Sequence, residues 1–381
     1  MKQGSTGPGG PAFQELAARL RQLMVRGVDH PLDDDAFTGW ALTVFRYQTE
    51  ANAPYRRFVE ARGIVPARVA HWTEIPAVPA SAFKHLRLVS GDPASAETVF
   101  RTSGTSRGVG RRGEHAILDT ELYKASLLPS FRAHLLPDGA RPAVLSLVPS
   151  PRESPDSSLS WMMGAVVEAL GGEGSGWFVD PATGIREEAL SDALRDAEAA
   201  GGPVLVAGTG FALVHWVDAM DRRGWRVRLP PGSRIMETGG FKGRSRSLEK
   251  ASFYRALHER LGVPPERIVN EYGMTELLSQ FYEPVLREGE AAGGPASRRH
   301  VGPPWVRTRV LDPRTLQAVP PGKPGILCHL DLANVGSVAH VLTADRGIGV
   351  AGGFRVLGRI EGAEPRGCSL AMDELLEAAG G

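Results

Sequence analysis

The sequence has 381 residues, of which 42% are hydrophobic and 23% are charged. These fractions are typical of globular proteins, so they exclude a wholly disordered chain and predict a sizeable buried core in about two or three domains. The 44 basic residues nearly balance the 43 acidic ones, for a formal net charge of +1. No strong overall field directs such a chain to nucleic acid or to a membrane surface, and we expect neither partner.

The N-terminal residues 1–12 are rich in glycine and proline, and we predict a flexible arm there. They lack the apolar core of a signal peptide. The longest apolar stretch, residues 204–217, is broken by two glycines and a histidine and falls short of the ~20 residues that span a bilayer. A helix is predicted directly after the arm, because apolar residues recur at helical spacing at Phe13, Leu16, Leu20 and Leu23.

From about residue 100 the chain alternates short apolar runs, turns rich in glycine or serine, and long helix-like stretches. This alternation predicts an α/β fold with a mostly parallel sheet. Ligands in such sheets bind in the turns at the carboxyl ends of the strands. The four apolar runs predicted as strands are Pro142–Val148, Val204–Val206, Arg234–Glu237 and Ile268–Glu271.

After residue 300 the sequence becomes mostly β, followed by a final helix over Met372–Ala379. We therefore predict a large N-terminal domain over residues 13–345, β-rich from about residue 300, and a short C-terminal lobe over residues 346–381. The short runs predicted as strands in this part are Val306–Leu311, Gly325–Leu330, Ser337–Leu342 and Gly353–Leu357.

Lysine and cysteine are both scarce. The two cysteines, Cys328 and Cys368, cannot build a disulfide framework or a thiolate metal cage, so we expect a reducing, cytoplasmic location. Only six residues could serve a reaction that needs a lysine. They are Lys2, Lys84, Lys124, Lys242, Lys250 and Lys323.

A turn of packed hydroxyls and glycines, Thr102–Gly108, follows the strand-like run Thr98–Arg101. Glycines let the backbone turn its N–H groups inward, and hydroxyls add donors around an anion. The turn is suited to cradle phosphate, although it matches neither of the common glycine-rich nucleotide motifs. The alternative is an ordinary flexible turn, because glycine and serine are common turn residues.

A second segment, residues 270–276, ends a predicted strand and places Glu276 directly after the hydroxyl of Thr275. A carboxylate beside a phosphate site is the usual way to hold Mg²⁺, which takes few protein oxygens in addition to phosphate oxygens. The alternative is an acidic residue in the first turn of a helix, where the macrodipole favours it.

These two segments, TSGT and YGMTE, resemble the adenylate-forming superfamily of acyl and aryl ligases. Further segments resemble one branch of it, the acyl-protein synthetases of bacterial fatty-acid reductase (luciferase-operon) systems. The resemblance covers roughly residues 70–375. Its further segments are Phe83-Lys84, Ser157–Ser160 with Met162, Gly358-Arg359, and Arg366–Ser369.

The resemblance implies a role for each matching residue in binding ATP and Mg²⁺. Thr275 would contact the α-phosphate, Glu276 would bind Mg²⁺, and Asp345 would hold the ribose hydroxyls. Arg359 resembles the arginine just past the hinge to the C-terminal lobe. The turn containing Thr102, Ser103, Gly104, Thr105 and Ser106 would orient the β- and γ-phosphates. Gly239, Gly240 and Phe241 match the loop that lies against adenine, and Tyr272 would flank the base. Asn270, Glu271 and Gly273 belong to the second matching segment and are expected among the residues that bind the cofactor.

In this branch a cysteine near the C-terminus accepts the acyl group from the adenylate as a thioester, and Cys368 is well placed for that role. It lies in a turn-like segment beside arginine, which would favour the nucleophilic thiolate. The alternative is a buried structural thiol, a common fate of free cysteine. Cys328 lies in the interior of a predicted strand, and we expect it in the core.

The sequence departs from the wider superfamily in one respect. That superfamily has a C-terminal lobe of about a hundred residues with a catalytic lysine, whereas no lysine occurs among the 22 residues after Arg359. Lys84, Lys242 or Arg107 could supply the positive charge instead, because they flank predicted site turns. The alternative for both lysines is a solvated surface position.

We therefore predict an ATP-dependent, adenylate-forming acid–thiol ligase. It would convert a carboxylic acid, with a fatty acid as the expected substrate, to acyl-AMP and pyrophosphate. The acyl group would move to Cys368 and then to a partner reductase or carrier protein. Two alternatives are an acyl- or aryl-CoA ligase that uses coenzyme A as acceptor, and a degenerate adenylate-binding fold without turnover.

Overall fold

The computed structural model of the chain describes residues 9–102, 112–239, 249–360 and 366–380. Its α-helices are α1 (Gly10–Met24), α2 (Asp34–Ala51), α3 (Ala53–Ala61), α4 (Thr120–Leu135), α5 (Ser158–Leu170), α6 (Glu187–Ala200), α7 (Gly210–Arg223), α8 (Lys250–Leu261), α9 (Val285–Glu288) and α10 (Arg366–Gly380). Its strands are β1 (Val78–Pro79), β2 (Thr98–Arg101), β3 (Glu114–Ile117), β4 (Ala143–Leu147), β5 (Gly176–Trp177), β6 (Val179–Asp180), β7 (Gly184–Ile185), β8 (Val204–Thr209), β9 (Arg234–Thr238), β10 (Ile268–Tyr272), β11 (Phe281–Tyr282), β12 (Val306–Leu311), β13 (Pro324–Asp331), β14 (His340–Val350) and β15 (Gly353–Arg359).

The described residues form two compact units. Unit 1 comprises those within residues 1–129, 274–279 and 302–381, and unit 2 comprises those within 130–273 and 280–301. The short C-terminal segment after residue 345 belongs to unit 1. The expected division into a large N-terminal domain and a separate C-terminal lobe stays a prediction.

Unit 2 contains the α/β sheet that the sequence predicts. Its strand order is β11-β10-β9-β8-β4-β5, parallel throughout except for the antiparallel pair β10–β11. The four predicted strands are β4, β8, β9 and β10, and they lie side by side. Strand β8 is buried along almost its whole length, which is typical of parallel strands covered on both faces.

Helix α7 shows how this sheet is covered. It begins after Thr209, whose hydroxyl accepts a hydrogen bond from the backbone N–H of Ala212 at 3.1 Å. It ends at Gly224, which has a φ of 67° and caps the helix in the left-handed region. Its side chain Trp216 is fully buried in the core cluster that includes strands β4 and β8.

Unit 1 contains a second sheet of order β1-β14-β13-β12, with β15 paired to β14. Strand β14 runs to Val350, well past the predicted end at Leu342. Pairing with β13 and β15 extends the strand, and Gly347 permits it, because a Cβ there would lie 2.4 Å from Leu327 Cδ2 and 2.9 Å from the carbonyl oxygen of Arg355. Strand β14 therefore passes close to both β13 and β15 at Gly347, where the apolar pattern of the sequence is interrupted.

Two predicted helix bounds differ from the structure. Helix α1 begins at Gly10, inside the predicted arm of residues 1–12, because Pro11 suits a first helical turn; residues 1–8 lie outside the described part. Helix α10 begins at Arg366, six residues before the predicted start. It packs against α3, where Arg62 pairs with Glu374 at 2.6 Å. Within the described residues, no helix is both long and apolar enough to cross a bilayer.

Candidate functional site

The predicted phosphate turn is carried by the hairpin β2–β3 in unit 1. Thr102 closes the hairpin: its N–H donates to the Gly113 carbonyl and its hydroxyl accepts the Gly113 N–H, both at 2.9 Å. The guanidinium of Arg112 donates to the Thr102 carbonyl at 2.7 Å. Ser103, Gly104, Thr105 and Ser106 lie outside the described residues, as does Arg107. Thr102 is therefore anchored at the base of the predicted turn.

The backbone of Thr275 and Glu276 is held by buried side chains of unit 1. Nδ1–H of His115 donates to the Thr275 carbonyl at 2.7 Å, and the Asn334 amide donates to the Glu276 carbonyl at 2.7 Å. Directly after Glu276, the carboxylate of Asp331 accepts the Leu278 N–H at 3.0 Å. This segment is therefore fixed residue by residue rather than left as a free loop.

Three other predicted site residues, Lys84, Asp345 and Arg359, act electrostatically on the Glu276 carboxyl. Burial raises its pKa to about 7, because the side chain is only 8% exposed. The positive charges of Arg359 and Lys84 oppose this rise, and the negative charge of Asp345 adds to it. Asp345 and Arg359 are directly opposed across β14 and β15, with Nε 3.7 Å from Oδ1. The cluster combines two carboxylates with two cations.

Within unit 2, the end of strand β10 forms a tight turn around the carboxyl of Glu271. This carboxyl is 3% exposed and accepts a short hydrogen bond from the Thr238 hydroxyl. Burial raises its pKa to about 7. A Cβ at Gly273 would lie 2.5 Å from Glu271 Oε1, so a larger residue there would require the Glu271 carboxyl to move. Gly239 follows strand β9 with a φ of 74°; Gly240, Phe241 and Lys242 lie outside the described residues.

The ring of Tyr272 is held by two aromatic neighbours in unit 2. Its centroid lies 5.7 Å from Phe281 and 6.0 Å from His300. Nε2–H of His300 in turn donates to the Asn270 side-chain oxygen at 2.6 Å, and the Asn270 amide donates to the Glu237 carbonyl at 3.3 Å. His300 thus contacts the Tyr272 ring and also hydrogen-bonds to the Asn270 side chain.

Beneath strands β9 and β10 lies a buried ionic network that the sequence did not indicate. The Tyr254 hydroxyl donates to Glu237 Oε1 at 2.9 Å. Glu283 is 1% exposed and pairs closely with the Lys250 ammonium, while Arg298 Nη1 lies 3.6 Å from Glu283 Oε2. The network stiffens the two strands from which the predicted base-binding residues emerge.

The two cysteines occupy different environments. Cys328 is fully buried in strand β13, as expected, with Sγ 3.2 Å from Nε2 of His340. Cys368 lies in the first turn of the 15-residue helix α10 rather than in a turn-like segment. The N–H of its neighbour Gly367 donates to the Pro313 carbonyl at 3.0 Å. The positive end of a helix dipole favours a thiolate.

The predictions from sequence missed the residues that hold the site together: His115, Asp331 and Asn334 in unit 1, and Glu237, Tyr254, Glu283 and Arg298 in unit 2. None belongs to a motif. The one available signal was a polar residue next to apolar ones, as in His115 before Ala116, Ile117 and Leu118. Such a residue needs a partner when buried, but sequence does not say which one.

Glu276 fits a magnesium site better than a self-contained metal cage. Among the described residues, no group of three or more histidine, cysteine, aspartate or glutamate side chains gathers to hold a metal ion. Mg²⁺ commonly takes only one or two carboxylates and completes its shell with phosphate and water oxygens. The raised pKa of Glu276 also fits, because a nearby dication would compensate its buried charge.

Comparison with known proteins gives one family. The family described as "Acyl-protein synthetase, LuxE" matches residues 32–377. The long-chain-fatty-acid–luciferin-component ligase of Vibrio harveyi is 25% identical over 345 residues, which are 88% of this chain and 86% of that protein. The enzyme of the same description from Aliivibrio fischeri is 28% identical over 156 residues, 38% of each chain.

Solved structures with the same fold include a 2-hydroxyisobutyryl-CoA ligase in complex with 2-HIB-AMP. In its post-adenylation state the TM-score is 0.63 at 17% identity, covering 86% of this chain and 68% of that one. An open conformation with 2-HIB-AMP and CoA gives a TM-score of 0.60 at 17% identity, covering 86% and 75%. These likenesses confirm the predicted α/β fold of adenylate-forming ligases.

Proposed function

Because the chain belongs to the acyl-protein synthetase family, we propose that it is an ATP-dependent ligase that adenylates a fatty acid and passes the acyl group to a protein thiol. The observation that carries the proposal is the cluster of Lys84, Glu276, Asp345 and Arg359, since four residues matched by the resemblance meet in one unit. They come from three separated stretches of sequence.

Adenylation requires two anions to meet. A carboxylate oxygen attacks the α-phosphorus of ATP, a new P–O bond forms, and pyrophosphate leaves with the electrons of the broken bond. Cations beside the phosphates reduce the repulsion and stabilise the charge that develops. Lys84 and Arg359 are the cations that act on the Glu276 carboxyl, and we assign them to this task.

Glu276 would hold Mg²⁺ together with the ATP phosphates, and the ion would neutralise phosphate charge. Thr275, whose carbonyl accepts a hydrogen bond from His115, would contact the α-phosphate. Asp345 would accept hydrogen bonds from the ribose hydroxyls. The predicted base-binding roles of Gly239 and Tyr272 in unit 2 remain part of this proposal.

The second half-reaction would use Cys368 as the acyl acceptor. Its thiolate attacks the acyl carbonyl carbon, the C–S bond forms, and AMP leaves with its phosphate oxygen. The position in the first turn of α10 supports this role, because the helix dipole favours the thiolate that attacks. A reductase or carrier protein would then take the acyl group, and a reducing compartment such as the cytoplasm would keep the thiol free.

The test separates the two half-reactions. Exchange of labelled pyrophosphate into ATP, screened over saturated fatty acids and aromatic acids, reports adenylation alone. Incubation with labelled acid and ATP reports hydroxylamine-sensitive label on the protein. We expect Cys368→Ala to keep exchange and lose the label.

Cys328→Ala is the matched control and is expected to keep both activities. Stoichiometric consumption of coenzyme A with no protein label would point instead to an acyl-CoA ligase. Lack of exchange with every acid would overturn the proposal.

A further inference from the structure

We propose that His115 is a positioning residue for adenylation, which sets the relative places of Thr275, Lys84 and Thr102. The inference rests on the proposed function and deepens it, because it names a residue that no motif includes. Its basis is that one buried ring, on the hairpin closed by Thr102, contacts two further chain segments, and each of the three carries a predicted site residue.

The first contact fixes Thr275. His115 is 2% exposed, and its Nδ1 lies 2.7 Å from the Thr275 carbonyl oxygen. A carbonyl oxygen only accepts, so the proton must be on Nδ1. The backbone of Thr275 is thereby held by a buried hydrogen bond one residue before Glu276, in a segment without regular secondary structure.

The second contact fixes the approach to Lys84. The ring of Phe83 meets the His115 ring edge to face, with centroids 5.4 Å apart and planes at 74°. Phe83 is 2% exposed and lies at the end of the 3-10 turn Ala80–Lys84, whereas the next side chain, Lys84, is exposed. The buried ring of Phe83 therefore fixes the chain directly before Lys84. This limits the positions from which the exposed Lys84 side chain can extend.

The third connection is the hairpin that carries the phosphate turn. His115 is on β3 directly opposite Phe100 on β2, and it lies two residues after Gly113, the partner of Thr102. A Cβ at Gly113 would lie 3.4 Å from both the carbonyl carbon and the Cβ of Phe83. The hairpin, the Phe83 segment and the Thr275 segment thus meet at one ring.

The ring acts as a neutral donor. Burial lowers the pKa of His115 to about 4, so the imidazole is uncharged at neutral pH and adds no cation of its own. Its contribution is geometric. Displacement of a reacting group by about 1 Å can cost on the order of a hundredfold in rate, so loss of one such bond can slow chemistry without unfolding the protein.

A histidine that only satisfies the core would give a different result, and His134 provides the matched comparison. It is also 2% exposed, and its Nδ1 also lies 2.8 Å from a backbone carbonyl, that of Ser130 in unit 2. Its ring stacks on Tyr282, with centroids 5.2 Å apart, and Tyr282 is not a predicted site residue. Both histidines should stabilise the fold, but only His115 should affect adenylation.

The experiment uses the full-length protein and four variants, His115→Asn, His115→Gln, His115→Leu and His134→Leu. The asparagine amide nitrogen occupies nearly the place of Nδ1, whereas glutamine places its amide near Nε2. Pyrophosphate exchange is measured against ATP concentration, and thermal unfolding is recorded for every variant.

We expect His115→Leu and His115→Gln to lower the exchange rate at saturating ATP by tenfold or more, as about 1.4 kcal/mol of lost positioning would do. His115→Asn should recover to within about threefold of wild type. His134→Leu should lower the melting temperature but leave the exchange rate per folded molecule unchanged.

Equal exchange by wild type and His115→Leu, or loss in His134→Leu as large as in His115→Leu, overturns the inference while the proposed function stands. If His115→Leu does not fold, the exchange rates of His115→Asn and His115→Gln are compared instead. Equal rates for these two variants overturn the inference. No exchange by wild type with any acid overturns the proposed function and this inference together.

Discussion

Sγ of Cys328 lies 3.2 Å from Nε2 of His340 in the interior of unit 1. Nδ1–H of His340 donates to the Ile75 carbonyl at 2.7 Å, so Nε2 is an acceptor and the thiol is the donor. Burial lowers the pKa of His340 to about 4, and the imidazole therefore stays neutral. Cys328 is thus held as a buried thiol that donates to His340.

Native thiol labelling should therefore report on Cys368. We expect a small alkylating reagent to modify one thiol rapidly in the folded protein and the second only after unfolding. Preincubation with ATP, Mg²⁺ and a substrate acid should protect the reactive thiol, and hydroxylamine should restore it. Peptide mass spectrometry identifies the site, and rapid labelling of Cys368→Ser would contradict this assignment.

Lys84 should matter for activity and not for stability. It is exposed, so its removal costs little folding free energy, whereas its charge acts on the Glu276 carboxyl. We expect Lys84→Met to lower pyrophosphate exchange by at least about tenfold with an unchanged melting temperature, and Lys84→Arg to keep part of the rate. Lys323→Met, also at an exposed position, is the control, and an equal loss there would point to a general charge effect.

The buried network of unit 2 should make stability depend on pH through Glu237. Burial raises its pKa from 4.5 to about 7, with Glu283 adding to the rise and Lys250 opposing it, and its Oε2 has no hydrogen-bond partner among the described residues. A carboxyl with a raised pKa binds more protons in the folded state. Its stabilising effect is therefore complete below about pH 4.5 and is lost as the pH rises to about 7.

Glu237→Gln imitates the neutral carboxyl and should be insensitive to this change. In urea unfolding, we expect the free energy of unfolding of Glu237→Gln, relative to that of wild type, to increase between pH 5 and pH 7 and to stay constant above pH 7. The gain should reach roughly 3 kcal/mol at most, since one pKa unit is worth about 1.4 kcal/mol. A difference between variant and wild type that is constant over this range would show that Glu237 is ionised throughout.

The sequence predicted the elements whose signal is local. Strands β4, β8, β9 and β10 are short runs with apolar residues between turns, and each was placed from its own residues. Glu276 and Asp345 were predicted as site residues because motifs include them. What could not be predicted depends on distant partners: nothing near His115 in sequence indicates that its ring contacts Thr275, 160 residues away.

The errors at helix and strand ends have the same origin. Helix α10 starts at Arg366 rather than at Met372. Near this start the N–H of Gly367 donates to the Pro313 carbonyl, a partner more than fifty residues distant in sequence. Strand β14 continues beyond Leu342 because it is paired with β13 and β15. A tertiary hydrogen bond or a neighbouring strand extends an element beyond the point where its own residues favour it.

The two glycines of β14 should respond differently to alanine. A Cβ at Gly347 would lie 2.9 Å from the backbone oxygen of Arg355, but at Gly349 its nearest neighbour would be Val310 Cγ2 at an ordinary 3.5 Å. We expect Gly347→Ala to lower the free energy of unfolding by about 1–3 kcal/mol and to raise the KM for ATP through Asp345. Gly349→Ala should be close to neutral, and equal effects in chemical denaturation would contradict this reading of the strand.

Helix α10 should couple its docking to acyl transfer. Leu375 is fully buried, whereas its neighbour Leu376 is 37% exposed. Truncation of a buried leucine to alanine typically costs about 2–5 kcal/mol, while the surface ion pair of Arg62 with Glu374 is worth at most about 1 kcal/mol. Burial of the apolar face therefore holds the helix whose first turn contains Cys368.

We expect Leu375→Ala to leave pyrophosphate exchange within about twofold of wild type and to slow hydroxylamine-sensitive labelling by about tenfold. Leu376→Ala should change neither rate. Rapid-quench labelling at saturating acid and ATP measures the transfer step directly. Equal labelling rates in the two variants would mean that docking of α10 does not limit transfer, and a parallel fall in exchange would mean that α10 supports adenylation as well.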